Sequence, residues 1–552
     1  MARQDYEKWL NHPGMPEELL TELHSMDADQ ANDSFYRDLA FGTGGLRGVL
    51  GAGTNRMNLY TVAKATRGLG HYLLETFDKP SVAVSYDSRI HSQDFAELTA
   101  ATLGEMGIRV HLYRQLMPTP MLSYAVRHLS CQAGVMVTAS HNPAKFNGYK
   151  VYGADGCQIT LEAAERITGY IAKEETLTAR LADFDAQLKA GTVSYISEET
   201  IESYYQRIAT LQVQPSQQPL HVVYSPLNGT GNVPVREMLR RLGQVRVDVV
   251  PEQEKPDGRF PTAPYPNPEI REAMQLAIRQ TIESGADICV ATDPDCDRIG
   301  AGVRVGNEVT LISGNDMGVL LLDYICSHRD ASGDTLPPVA VKTIVTTEMA
   351  VPVAKKYDVE LRNVLTGFKF IGEQIGLLEK AGQEKRYIFG FEESYGYLSS
   401  TFVRDKDAVN AAVLVCEMAA NLKAEGLTLL DKLALLREEF GFYAQRLLTF
   451  AYEGESGANR MADIMAGLRR PLAESPEALL QTAARIDYLH DDTGLPASDV
   501  LSFALADGRK IIVRPSGTEP KLKAYLFASG ADQAKAEAAL DELEALVNRC
   551  CS

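Results

Sequence analysis

A serine and a histidine stand side by side at Ser140-His141, between the apolar run Val135-Met136-Val137 and the turn signal Asn142-Pro143. A hydroxyl and an imidazole at the end of a buried strand are candidates for nucleophilic or acid–base chemistry. The plain alternative is a turn whose side chains cap nearby backbone groups. A second stretch, Thr292-Asp293-Pro294-Asp295-Cys296-Asp297-Arg298, puts three carboxylates at alternate positions. Carboxylates that converge repel unless a cation neutralises them. An oxygen-only set without His or Cys partners suits a hard ion such as Mg²⁺, and Cys296 reads as a small filler. An EF-hand fits poorly, because Arg298 and Arg304 stand where its Gly and distal Glu belong. The alternative is a solvated acidic turn.

Three further stretches carry polar chemistry of another kind. Arg514-Pro515-Ser516-Gly517-Thr518 offers a charge-assisted donor, two hydroxyls and accessible backbone N–H groups, a cradle for phosphate. Phe41 to Gly48 has four glycines in eight residues and could bring its backbone, and Arg47, close to a ligand. Gly390 to Gly396 holds Glu392 and Ser394, which could hydrogen-bond a sugar or cap a helix. The first two could also be ordinary turns.

The elements needed to position them read as repeated strand–helix alternation. Strands are expected at Ser81–Tyr86, Arg109–Tyr113 and Val135–Val137, with helices over about 60–77 and 93–106. Residues 160–210 read as polar helices leading out of that unit. A second alternation starts at Leu220–Tyr224 and ends on the strand Ala286–Ala291, directly before the three aspartates. A third starts at Val339–Val345 and passes Thr366-Gly367-Phe368-Lys369 to the strand Tyr387–Phe389. Ligand sites in such sheets gather at the carboxyl ends of strands, where these motifs fall. The N-terminal ~35 residues read as polar helices anchored by Trp9, Leu10, Leu19, Leu20 and Leu23. Residues 440–552 mix strands and helices without repeating the layout.

The totals narrow the class. At 552 residues, about three to five domains are expected. A 45% hydrophobic share and a 23% charged share are ordinary for globular protein. The net charge of −18 weighs against DNA or RNA, while leaving room for small anions held by local cations. Eight scattered cysteines without a C-x-x-C pair argue against a zinc site or disulfide framework and fit a reducing cytosol. Residues 1–6 lack a signal-peptide core, and no window approaches a membrane span.

Together, T-A-S-H-N-P, D-P-D-x-D-R, the E-x-S loop and R-P-S-G-T, in this order and spacing, resemble the α-D-phosphohexomutase superfamily over nearly the whole chain. That resemblance implies three consecutive α/β domains of related topology and a smaller α+β C-terminal domain around a central cleft. On this chain the domains would be 1–210 with a helical extension, 211–325, 326–438 and 439–552. It implies transfer of phosphate between the 1- and 6-positions of a hexose through a phosphoserine at Ser140, with one Mg²⁺ on Ser140, Asp293, Asp295 and Asp297. Glucose 1,6-bisphosphate would be the intermediate and activator. Arg47, His141, Lys150 and Arg298 match active-centre positions. Thr43, Gly44, Asn142, Thr366, Gly367, Lys369, Glu392 and Ser394 would contact substrate. Arg514, Ser516, Gly517 and Thr518 would hold the phosphate that is not reacting.

The long N-terminal extension, G-T-G-G-L-R-G and G-F-E-E-S-Y-G resemble the branch of bacterial phosphoglucomutases and animal phosphopentomutase or glucose-bisphosphate synthase relatives. Phe368 stands where phosphomannomutases commonly carry His, which weighs against mannose activity. A phosphopentomutase would keep every motif. A silent sugar-phosphate-binding regulator would have no use for an intact Ser140 and three aspartates. The expected partners are small sugar phosphates in the cytoplasm, with no nucleic acid or membrane, bound by a monomer or weak homodimer.

Overall fold

A computed structural model of the chain describes residues 2–330, 336–452, 454–470, 482–515 and 521–551. The first unit contains strands Gly45–Val49 (β1), Ser81–Tyr86 (β2), Arg109–Leu112 (β3), Ala133–Val137 (β4), Phe146–Gly153 (β5) and Val193–Tyr195 (β6). They form one sheet in the order β1-β5-β4-β2-β3-β6. The second contains Leu220–Ser225 (β7), Val245–Val249 (β8), Ile288–Thr292 (β9), Ile299–Val305 (β10) and Glu308–Ile312 (β11), ordered β11-β10-β9-β7-β8. The third contains Val339–Thr343 (β12), Glu360–Val364 (β13), Tyr387–Glu392 (β14) and Gly396–Leu398 (β15), ordered β13-β12-β14-β15.

The three sheets share one motif. In each, three parallel strands are followed by an antiparallel fourth: β3-β2-β4 then β5, β8-β7-β9 then β10, and β13-β12-β14 then β15. The connection from the last parallel strand to its antiparallel neighbour is a tight loop at the carboxyl edge. In all three units that loop carries candidate site residues: Ser140 after β4, the aspartates after β9, and Glu392 to Ser394 at the end of β14. Each also turns on a non-glycine residue in the left-handed region, Ser140 at φ 53°, Cys296 at φ 53° and Tyr395 at φ 63°. Such conformations cost of order 1–3 kcal/mol and persist where surrounding contacts over-determine them.

β4 and β9 are buried along their whole length, so their residues are continuously apolar or small rather than alternating. One apolar core runs through the first three units, from Ala83 through Val222 and Val341 to Leu436. The helix Ala408–Ala424, buried nearly all round, lies at its centre. The N-terminal helices Ala2–Leu10, Glu17–Ser25 and Ala28–Phe35 wrap a separate cluster of Trp9, Leu19, Leu23, Phe35 and Tyr60. Residues 160–210 do not lead away from the first unit: β6 pairs with β3, and the helix Leu161–Ile171 buries Ile167 against that unit's core.

The last unit has a different design. Strands Phe442–Ala451 (β16), Thr482–Asp487 (β17), Leu501–Leu505 (β18), Lys510–Pro515 (β19) and Lys521–Gly530 (β20) form an antiparallel sheet, ordered β16-β20-β19-β18-β17. The helices Gly454–Leu468 and Gln533–Cys551 cover its own core. It meets the third unit along a small seam of Ile344, Val345 and Leu365 against Tyr488, Ile512, Tyr525 and Phe527.

Candidate active site

The Ser140 hydroxyl donates to Asp293 Oδ2 at 2.9 Å, across the boundary between the first two units. His141 Nδ1 lies 3.2 Å from the Ser140 hydroxyl oxygen. Burial, with Arg298 and Arg47 adding to it, holds the His141 imidazole well below its usual range, so the ring is neutral. Asp293, Asp295 and Asp297 present one carboxylate oxygen each within 4.8 Å of one another, all buried. Asp293 Oδ1 accepts the N–H groups of Asp297 and Arg298, at 3.1 and 2.9 Å, which curls the loop around it.

Two buried oxygens of this cluster, Asp295 Oδ1 and Asp297 Oδ1, have no hydrogen-bond partner. Unsatisfied buried carboxylate oxygens are costly, and the three converging carboxylates form a seat for a cation. The donor set is hard oxygen throughout, which fits Mg²⁺.

The opposite face of the cluster is held by the protein's own cations. Lys150 Nζ lies 2.8 Å from Asp295 Oδ2 and 3.7 Å from Asp297 Oδ2. Lys406 Nζ lies 3.2 Å from both Asp297 Oδ2 and Asp405 Oδ1, and 4.0 Å from Glu392 Oε1. Burial alone would raise the Asp295 carboxyl, but Lys150 outweighs it and holds the group well below the usual carboxylate range. Burial also disfavours the ammonium of Lys150, and Asp295 and Asp297 reverse that effect and keep it charged. Thr119 adds a neutral tie, its hydroxyl donating to Asp295 Oδ2 at 3.0 Å and its N–H to the Asp295 carbonyl at 2.9 Å.

Lys150 reaches the cluster because β5 pairs with β1, placing Lys150 opposite Gly45. Gly45 has φ 146°, and a Cβ there would lie 1.8 Å from the Tyr149 carbonyl, so no other residue fits. Arg47 stands opposite Gly148 on the same ladder, exposed, and its charge acts on His141 and Arg89. Thr43 lies exposed in the preceding loop, and the Gly44 carbonyl accepts the Val151 N–H at 2.9 Å. Asn142 donates its N–H to the Ala139 carbonyl, closing the Ser140 turn. Arg298 Nη1 pairs with Glu269 at 3.3 Å.

Ser394 donates to Glu392 Oε1 at 3.1 Å in a strand–turn–strand, not at a helix start, so the helix-cap alternative is excluded. Beside it, Glu393 accepts from the Thr343 and Thr346 hydroxyls at 3.3 Å each. Burial, reinforced by Glu392, pushes its carboxyl up to about 7. Gly367, at φ 120°, precedes the helix Phe368–Lys380, whose first turn carries Lys369 over the Phe370 ring. Thr366 Oγ1 is buried without a partner. Phe368 is buried under the Lys406 ammonium, 5.4 Å from its ring centroid.

Arg514 closes β19, half-buried, with Nη2 3.4 Å from the Tyr525 hydroxyl and its buried Nε unpartnered. Ser516, Gly517 and Thr518 lie outside the described residues.

Sequence reasoning missed Thr119, Lys406 and Arg89. For Lys406 a signal exists: the run Arg404-Asp405-Lys406-Asp407 packs four charges directly before a long apolar helix, and all four are buried.

A buried serine hydroxyl on a three-carboxylate cation seat, with Lys150 beside the carboxylates, suits the passing of a phosphoryl group to and from that hydroxyl. The chain belongs to the phosphoglucomutase/phosphomannomutase family. Models of its α/β/α domains I, II and III match residues 38–178, 202–306 and 313–436, and that of its C-terminal domain matches 468–545. The phosphoglucomutase of Staphylococcus haemolyticus is 36% identical over 503 residues, covering 89% of this chain and 90% of the relative. That of Staphylococcus aureus (strain USA300) is 34% identical over 95% of this chain and 96% of its own. Among solved structures, the fold is shared with pp63/parafusin from Paramecium in its open form, at TM-score 0.70 and 19% identity over 92% of this chain and 94% of that one. A phosphoglucomutase/phosphomannomutase family protein from Burkholderia thailandensis shares it at TM-score 0.68 and 18% identity over 92% and 97%.

Proposed function

We propose that the protein interconverts α-D-glucose 1-phosphate and glucose 6-phosphate through a phosphoserine at Ser140 and a glucose 1,6-bisphosphate intermediate. The observation that carries this is the Ser140 hydroxyl, 2.9 Å from Asp293 in a buried three-aspartate seat. Ser140 gives its phosphoryl group to a sugar hydroxyl, so that an O–P bond to the sugar forms as the seryl O–P bond breaks. The sugar reorients, and Ser140 takes back the phosphoryl group at the other position. Mg²⁺ held by Asp293, Asp295, Asp297 and a seryl phosphate oxygen would spread the charge of the transferring group.

Lys150, kept as an ammonium by its two aspartates, is suited to donate a proton to the oxygen that loses its phosphoryl group and to be recharged by the proton that the attacking hydroxyl releases. His141, neutral, can hydrogen-bond the seryl oxygen. Arg47 and Arg298 add positive charge around the phosphate. Glu392 and Ser394 bind sugar hydroxyls with Thr43, Gly44, Asn142, Thr366, Gly367 and Lys369 around them, and Arg514 with Ser516, Gly517 and Thr518 holds the second phosphate. Phe368, packed under Lys406, leaves no imidazole at the position where phosphomannomutases commonly carry His, which weighs against mannose activity.

The same proposal divides the chain at 1–210, 211–325, 326–438 and 439–552, and places it in the cytoplasm as a monomer or weak homodimer, acting on neither nucleic acid nor membrane. No helix among the described residues is long and apolar enough to cross a membrane. Incubation with glucose 1,6-bisphosphate followed by peptide mass analysis should place one phosphate on Ser140, and Ser140→Ala should cut turnover by about 10³-fold or more. Phosphate on His141 instead would overturn the mechanism. Glucose 1-phosphate, mannose 1-phosphate and ribose 1-phosphate assayed side by side should rank glucose first.

A further inference from the structure

Arg89 has no part in the chemistry above, yet its side chain is fully buried against the Ser140 loop. Nη1 donates to the carbonyls of Pro143 and Phe146 at 3.1 Å each. Nη2 donates to the carbonyl of Asn142 at 2.5 Å and to that of Ser140 itself. Nε faces Asp87 Oδ2 at 3.3 Å. Asp87 also accepts from the Thr138 hydroxyl at 2.6 Å and the Ser92 hydroxyl at 2.7 Å. The Thr138 oxygen accepts the Ser140 N–H at 2.8 Å. The circuit therefore holds both backbone polar groups of Ser140: its N–H through Thr138 and Asp87, and its C=O through Arg89. Ser140 is the residue that must sit at φ 53°.

The outer side of Arg89 is closed by the second unit. The Phe260 ring lies 5.0 Å from the guanidinium, and Phe260 is itself buried at φ 47°. Gly258 lies so close that a Cβ there would stand 2.4 Å from the Ile90 nitrogen. The loop that carries Phe260 belongs to the same unit as Asp293, Asp295 and Asp297.

We propose that Arg89 is a positioning residue for phosphoryl transfer. It holds Ser140 in the left-handed conformation that aims the hydroxyl at Asp293, and Phe260 makes that grip depend on docking of the second unit. The planar fork of Arg spans carbonyls from Ser140 to Phe146, which a single ammonium cannot do. This rests on Ser140 as the phosphate carrier.

The test uses full-length Arg89→Lys and Phe260→Leu. Each is loaded with phosphate from glucose 1,6-bisphosphate, then its single-turnover transfer to glucose 1-phosphate is followed by quenching and intact mass, beside steady-state kinetics and a thermal melt. Misplacing a reacting group by about 1 Å costs about 10²-fold, so Arg89→Lys should slow transfer and kcat by about 30-fold or more with KM within about threefold. Phe260→Leu should slow transfer by about threefold to tenfold with the same split, since the ring only buttresses the fork. Folded Arg89→Lys that transfers within twofold of the parent overturns the inference. If that variant does not fold, Phe260→Leu decides: an unchanged transfer rate overturns it and a slowed one with unchanged KM upholds it. Phosphate mapping elsewhere than Ser140 in the parent protein would instead defeat the proposed function, so the two failures are distinguishable.

Discussion

The two ends of the proposed site are built differently. At the Ser140 end, the hydroxyl, three aspartates, two lysines and Thr119 come from three units, and every aspartate is buried and cross-tied. At the Arg514 end, one arginine closes a strand of a separately cored domain, resting on Tyr525. Among the described residues, that domain meets the rest through an apolar seam, Lys510 on Glu348 at 2.8 Å and on the Ile344 carbonyl at 3.3 Å, and Gln445, which donates to the Val345 carbonyl and accepts from Asn315, at 2.6 Å each. The chemical end is thus formed before substrate arrives, as electrostatic stabilisation of a transferring phosphoryl group requires. The proposed anchoring end sits on a domain with its own core, which would let it meet a sugar presented in two orientations.

The sharpest way to break the comparison is at Asp295. Asp295→Asn keeps an acceptor for Thr119 but removes the charge that Lys150 and a cation would share. We expect kcat to fall by about 10²- to 10³-fold, the scale of losing one preorganised electrostatic contact, with KM little changed and the melting temperature shifted by only a few degrees. Chelation of the unaltered protein should abolish turnover and Mg²⁺ should restore it. Full activity of a metal-free preparation would mean that the lysines alone serve the seat.

Arg514→Ala probes the other end. A phosphate held far from Ser140 is bound in ground and transition states alike, so its loss falls mainly on KM. Losing a charged hydrogen bond of about 1.5–3 kcal/mol should raise KM by about tenfold or more, with kcat within about threefold. An unchanged KM in folded protein would put the loop outside the cleft. A kcat loss as large as that of Asp295→Asn would erase the distinction between the ends.

The same contrast explains what could be read from the sequence. The strand–loop positions of Ser140, the aspartates and Glu392 were legible because each motif directly follows an apolar or β-branched run, and strand ends collect sites. The architecture of three related units followed by one unlike them was legible for the same reason, since the alternation stops near 440. Arg89 and Thr119 were not, and Lys406 was marked only as one of four charges crowded before an apolar helix. Arg89 grips a loop 51 to 57 residues away, and Thr119 meets Asp295 across 176. Their residue types carry no local pattern; only the shared sheet motif brings the strand ends together. Residues 160–210 misled because their polar helices hide the short strand Val193–Tyr195, which completes the first sheet.

Glu393 offers the finest discrimination. Its carboxyl is pushed up to about 7 by burial first and by Glu392 second, opposed by its hydrogen bonds to its own backbone and to Thr346 and then by the charge of Arg514. Below that pH the group is neutral and leaves Arg514 to an incoming phosphate. Above it the carboxylate competes for Arg514 and repels the phosphate, so binding weakens as pH rises through 7. The sugar phosphate titrates in the same range, and Glu393→Gln separates the two effects, because Gln can still accept from Thr343 and Thr346 but cannot ionise. The ratio of parent KM to Glu393→Gln KM should therefore grow by about threefold between pH 6 and pH 8, the scale of a partly screened charge contact near a surface. The ratio of their kcat values should stay level, since the Ser140 end does not contact this group. A flat KM ratio would place Glu393 out of reach of the bound phosphate. A pH-dependent kcat ratio would show that the two ends are electrostatically coupled after all, through the Glu392–Lys406–Asp297 line that spans the cleft.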